Sequence, residues 1–250
     1  MPDMLAAVLA TPGLMWLMLT IAAAGLVRGF SGFGTALIFV PVANIFLDPK
    51  EVIVVITLTG VASNAVVLPR AWRQGSKGEV GLLVMAALLT VPLGLWALDL
   101  LDATTIRWII TAVAGGMLAA LIAGWRYSGA VTRPVMLAIG AAAGVIGGMT
   151  GLTGPVVVLF YLAGQAVAQS VRANTILFLA ALDVVVIVNL ALQSAVTPEL
   201  LILAIVLSLP YATTTLLGQW LFRPDYERVY RAVAYTVIAL AVVSGLPLWG

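Results

Sequence analysis

Residues 25–34 read Gly25-Leu-Val-Arg28-Gly-Phe-Ser-Gly-Phe-Gly34, and residues 144–153 read Gly144-Val-Ile-Gly-Gly-Met-Thr-Gly-Leu-Thr153. At an offset of 119, Gly25 falls on Gly144, Gly29 on Gly148, Ser31 on Thr150 and Gly32 on Gly151. Both stretches interrupt apolar sequence. Helix-breaking glycines at matching places in two hydrophobic halves are the pattern of a duplicated membrane transporter, because unwound backbone is tolerated inside a bilayer only where it lines a cavity.

Composition agrees. Of 250 residues, 63% are hydrophobic and 9% charged, with a mean hydropathy of +1.16, far from the composition of a soluble domain. Ten apolar segments run over about Leu5–Val27, Phe33–Leu47, Val52–Leu68, Val80–Leu98, Ile106–Trp125, Pro134–Met149, Leu152–Ala163, Ala173–Leu192, Leu200–Leu221 and Val229–Leu248. Most are long enough to cross a hydrocarbon core of about 30 Å; the seventh is short for a span. The two-residue alternation of a transmembrane β-barrel is absent. The expected fold is therefore an all-α polytopic membrane protein. Residues 1–250 would form one transmembrane domain of two inverted structural repeats, about 5–126 and about 133–250. Each would have about five helical segments, with broken helices or hairpins at the glycine-rich motifs.

Cysteine and histidine are both absent, which removes thiol chemistry, disulfides, histidine-ligated haem and the usual zinc sites. No cofactor is expected. The first 27 residues hold no Lys or Arg, so the basic region of a cleavable signal peptide is missing and the first segment is expected to be retained. A net charge of +2 gives no reason to expect nucleic acid. A lipid bilayer is the expected partner.

Loop charge sets the expected topology. Arg70, Arg73 and Lys77 follow the third segment, Arg126 and Arg133 the fifth, Arg172 the seventh, and Arg223, Arg228 and Arg231 the ninth. The intervening loops carry Asp48, Lys50 and Glu51, then Asp99, Asp102 and Arg107, then Glu199. The positive-inside rule makes the basic loops cytoplasmic and puts both termini outside. Five segments per half invert the second half relative to the first, as the charges require. If segments one and two, and six and seven, are hairpins, every other loop keeps its side, so charge leaves ten full spans and six spans plus two hairpins both open. The halves also align Asn64 with Asp183 at the same offset, and Pro92 with Pro210 at one residue less.

The stretch Arg28-Gly-Phe-Ser-Gly-Phe-Gly-Thr-Ala-Leu-Ile-Phe-Val-Pro41, followed by Gly148-Met-Thr-Gly-Leu-Thr-Gly154, resembles the TauE/SafE family of sulfite and organosulfonate permeases, in which such a motif opens each half. The second motif departs from that pattern, with Phe160 at the place equivalent to Pro41, so unequal half-sites are expected. The resemblance implies transport of sulfite, sulfoacetate or related organosulfonates across the cytoplasmic membrane, by alternating access.

Arg28 is a guanidinium in apolar surroundings, costly unless paired or hydrated, and its fork of donors suits an oxyanion. It could instead be an orientation charge at the cytoplasmic boundary. Gly32, Gly34 and Gly151 would let backbone N–H groups approach the anion. Ser31, Thr35, Thr150 and Thr153 supply hydroxyls that either bind it or satisfy the unwound backbone. Asn64 and Asn174 are further candidate contacts, which helix-to-helix hydrogen bonding would explain equally well. Asp183 is the one carboxylate well inside an apolar run; it reads as a proton-coupling site or as the structural partner of Arg28 or Arg172.

An intramembrane protease is the rival enzyme, since Gly29-Phe-Ser31-Gly is similar to the rhomboid Gly-x-Ser-Gly motif. Its mechanism needs a histidine base, and the chain has none, so no enzyme activity is expected. An anion channel or passive pore of the same architecture remains an alternative.

Overall fold

A computed structural model describes residues 8–125, 132–154, 156–158, 160, 168–221 and 224–248, without the side chains of residues 62, 63, 65–67, 70, 168, 169, 171, 172, 224 and 227. Among the described residues nine α-helices can be followed from end to end, and there is no strand. They are α1 (Leu14–Ser31), α2 (Thr35–Ala43), α3 (Pro49–Gln74), α4 (Lys77–Leu100), α5 (Ala103–Ile122), α6 (Arg133–Thr150), α7 (Ala168–Leu192), α8 (Pro198–Leu221) and α9 (Glu227–Ser244).

Six stretches are long and apolar enough to cross a membrane: α1, α4, α5, α6, α8 and Ala173–Leu192 of α7. This is a multi-pass membrane protein. The helix α3 is longer than any of these, but it carries Lys50 and Glu51 at its start and Arg70 and Arg73 near its end. It also outruns the expected Val52–Leu68 segment. Pro49 begins it without an N–H to waste, and Glu51 accepts the Asp48 backbone N–H at 3.1 Å in a capping box.

The first break makes a hairpin. The ring of Phe46, just past α2, lies where a Cβ on Gly13, the residue before α1, would stand, so the two arms begin and end side by side. The arms are unequal. At 1.5 Å per residue α1 is about 27 Å long and α2 about 14 Å, half a bilayer core. Seven of the nine α2 residues are buried, from Thr35 to Ala43. A helix buried all round belongs to the core, and α2 sits among α1, α3, α5 and α9.

The packing is consistent with the expected duplication. The first helix of each half lies against the penultimate helix of the other, α1 on α8 and α6 on α4, while α3 packs on α7. These crossings rest on glycine. A Cβ on Gly25 or Gly29 would strike Tyr211, Thr214, Thr215 and Gly218 of α8; one on Gly144 or Gly148 would strike Ala87, Thr90, Val91 and Leu95 of α4. Gly94 and Gly218 face back across the same contacts. Lipid tails are as apolar as leucine, so such helices associate by close backbone approach and interhelical hydrogen bonds. Thr90 supplies one, donating to the Ala141 carbonyl at 2.9 Å. The facing residues Thr90 and Thr214, like Gly94 and Gly218, are 124 apart. The contacts of α4 with α6 and of α8 with α1 thus recur at 124 residues, a different offset from the one that aligns Pro92 with Pro210.

Candidate functional site

The two breaks are built alike. Gly32 and Gly151 end α1 and α6 in the left-handed conformation, φ 80° and 74°, and their N–H groups return to the carbonyls of Arg28 and Gly147. Ser31 donates to the Val27 carbonyl at 2.7 Å and accepts from the Phe33 N–H at 3.3 Å. Thr150 repeats both bonds with Ile146 and Leu152, at 2.6 and 3.2 Å. Each partner lies 119 residues from its counterpart. Both hydroxyls satisfy the backbone that the glycines release, and neither lines the cavity described below.

Between the breaks lies a cavity of about 60 Å³, room for a few waters or one small oxyanion. Its wall includes Arg28 from the last turn of α1, Gly34 to Leu37 at the start of α2, Thr57 and Gly60 of α3, and Met117 of α5. Gly151, Thr153 and Gly154 of the second break, Asp183 of α7 and Tyr211 of α8 close it. The sequence led us to put Arg28 between a helix and the glycines. In fact α1 continues through Ser31, which turns Arg28 inward on a regular helical turn.

No side chain caps the N-terminus of α2. Its first intrahelical bond is Ile38 N–H to the Gly34 carbonyl, 3.2 Å, so the amides of residues 35–37 have no partner within the helix and sit at the cavity wall. Unsatisfied N–H groups at the positive end of a helix dipole attract an anion, by up to about 2 kcal/mol in partly buried geometry.

Arg28 and Asp183 are joined through one amide. Arg28 Nη2 donates to Asn64 Oδ1 at 2.7 Å, and Asn64 Nδ2 donates to Asp183 Oδ2 at 2.9 Å. The guanidinium has only donors and fixes the amide orientation. Asn64 and Asp183 are the pair that the 119-residue offset aligns. The two meet at the α3–α7 crossing, where a Cβ on Gly60 would press on the Asp183 carboxylate at 2.7 Å. The second half has Gly147 where the first has Arg28. That substitution, with Asp183 opposite Asn64, makes the site unequal.

Thr35 is buried and shares a 3.0 Å hydrogen bond with the Tyr211 hydroxyl. Tyr211, 1% exposed, and Thr57 were missed by sequence reasoning; Tyr211 alone left a signal, a tyrosine after Pro210 in mid-segment. Asn174 lies elsewhere. Its Oδ1 accepts the Ser76 N–H at 2.7 Å and its Nδ2 donates to Glu79 at 3.2 Å, tying α7 to the turn before α4. The side chain of Arg172 lies outside the described residues. Among the described residues, no cluster of acidic side chains could hold a metal ion.

A helical membrane protein with a small buried cavity, lined by one arginine and by uncapped backbone amides, belongs to the class of anion transporters. The model of the sulfite exporter TauE/SafE family matches residues 17–245, and the chain belongs to that family. It is thus a membrane transporter of the exporter type, not an enzyme. Comparison with curated proteins and with solved structures gives no significant match.

Proposed function

We propose that the protein moves small sulfur-containing oxyanions, sulfite or a compact organosulfonate, across the cytoplasmic membrane through the cavity between the two breaks. The observation that carries this reading is the convergence on one wall of the Arg28 guanidinium and the free amides at the start of α2. An oxyanion there takes charge-assisted hydrogen bonds from a fork that keeps four further N–H groups beside the one given to Asn64. Thr35, Thr153 and the Tyr211 hydroxyl are neutral partners for its remaining oxygens, and Gly34 and Gly151 keep the backbone close.

Alternating access fits an arrangement in which both breaks contribute residues to one central site. The two halves are read as inverted repeats, with both termini outside and the arginine-bearing loops in the cytoplasm.

The test is a thermal-shift and calorimetric screen of the purified protein against sulfite, thiosulfate, sulfoacetate, taurine and short dicarboxylates. Saturable binding of a sulfur oxyanion, abolished in Arg28→Ala, is expected. Binding that ignores this substitution would contradict the site.

A further inference from the structure

The cavity wall carries two charged groups of opposite sign, Arg28 and Asp183. No direct ion pair joins them; Asn64 stands between. Because Arg28 orients the amide, Asp183 receives an N–H on Oδ2 and can accept it whether or not the carboxyl is ionised. Among the described residues, no hydrogen bond to Oδ1 is found. That oxygen is a seat for a proton.

With the carboxyl ionised, the lining has no net charge, and an arriving monoanion would leave a buried site net negative. A proton on Asp183 makes the lining positive, and the same anion then neutralises it. For unit charges on the order of 6 Å apart at an effective dielectric near 20, the coupling is about 100-fold in affinity. Linkage is reciprocal, so the anion must favour the proton by the same factor. The groups facing Asp183 permit this. Arg28 comes from α1 and, across the cavity, Tyr211 from α8; α3 offers Asn64 and Gly60, neither titratable, and Glu79 of α4 meets α7 only at Asn174, nine residues away.

We propose that Asp183 is a proton site linked to the anion site at Arg28, with Asn64 as the positioning residue between them, so that one proton travels with each monoanion. This rests on the transport reading above and goes further, because it makes the cycle electroneutral for a monoanion.

The experiment uses the full chain in proteoliposomes with methanesulfonate, whose charge does not change near neutral pH. Potential is clamped with potassium and valinomycin, and pH is set separately on each side. The expected result is a tenfold change in the accumulation ratio per pH unit and no response to voltage. A uniporter would instead change tenfold for about 59 mV and ignore pH, which overturns the proposal while leaving transport intact. No flux of any sulfur oxyanion overturns the transport reading as well. Asp183→Asn is expected to turn the flux voltage-driven and pH-independent; a folded variant that still follows the pH gradient refutes the proton site, and the wild-type measurement decides should the variant not fold. In Asn64→Leu the pH profile of methanesulfonate binding flattens, and an unchanged profile removes Asn64 from the linkage.

Discussion

Adding one methyl group at Gly60 tests the α3–α7 crossing. An ideal Cβ there stands 2.7 Å from Asp183 Oδ2, 3.4 Å from its Cγ and 3.7 Å from Oδ1. Comfortable carbon contacts begin near 3.5 Å, so the carboxylate must retreat by most of an ångström or the helices must part. Retreat is opposed by the 2.9 Å bond from Asn64, which Arg28 holds in turn at 2.7 Å. Loss of a hydrogen bond to a charged group costs about 1.5–3 kcal/mol, while replacing a helical glycine by alanine returns roughly 0.5–1 kcal/mol. Gly60→Ala should therefore destabilise by about 1–2 kcal/mol. Gly116→Ala is the control: it is helical with nothing within 4 Å of its Cβ position, and should stabilise by roughly 0.5–1 kcal/mol. Thermal unfolding in detergent reads both. Equal upward shifts in the two variants would refute the crowding described at Asp183.

Other consequences can be measured in the same way. Gly144→Ala and Gly25→Ala should each cost about 1–3 kcal/mol through overpacking against Thr90 and Thr214; a neutral result for both would sink the account of the α4–α6 and α1–α8 crossings. Ser31→Ala and Thr150→Ala remove the same pair of backbone bonds, so their stability losses should agree within about 1 kcal/mol, and a loss confined to one break would contradict their equivalence. Asp102 caps α5, and the Thr105 hydroxyl and N–H hold its carboxyl below the ordinary range. Its stabilisation is complete above the unfolded carboxyl pKa and is lost as pH falls through the lowered folded value. In Asp102→Asn this part of the acid sensitivity should vanish, and an acid-unfolding curve identical to wild type would count against the cap.

Much of this could be read from residues in order. The 119-residue offset foretold the matching turns at Gly32 and Gly151, which local backbone chemistry sets; it aligned Asn64 with Asp183, but that the two touch is a packing fact. Helix ends were less legible. Apolar composition stops at Val27, yet α1 runs to Ser31 because a helix ends where its backbone is capped, not where hydropathy falls. The hairpin was left open by loop charge, which is the same for both topologies; the contact of Phe46 with Gly13 is a packing fact with no sequence signature. Asn174 looked like a site residue because polar groups in apolar runs are conspicuous, but an interhelical bond near a helix end is an equal use for an amide. Tyr211 escaped because it lies 176 residues from Thr35, and their contact exists only in three dimensions.

In the proposed site an anion is held by Arg28 at the meeting of the two breaks. Sulfite flux into proteoliposomes carrying wild type, Arg28→Lys and Arg28→Ala tests it most directly. Removing two charge-assisted bonds is worth about 3–5 kcal/mol, or at least 100-fold in affinity, so Arg28→Ala should abolish saturable flux. Arg28→Lys, which keeps the charge and gives up the fork, should be intermediate. Wild-type affinity in both variants, with the protein folded, would mean that Arg28 only orients the chain in the membrane.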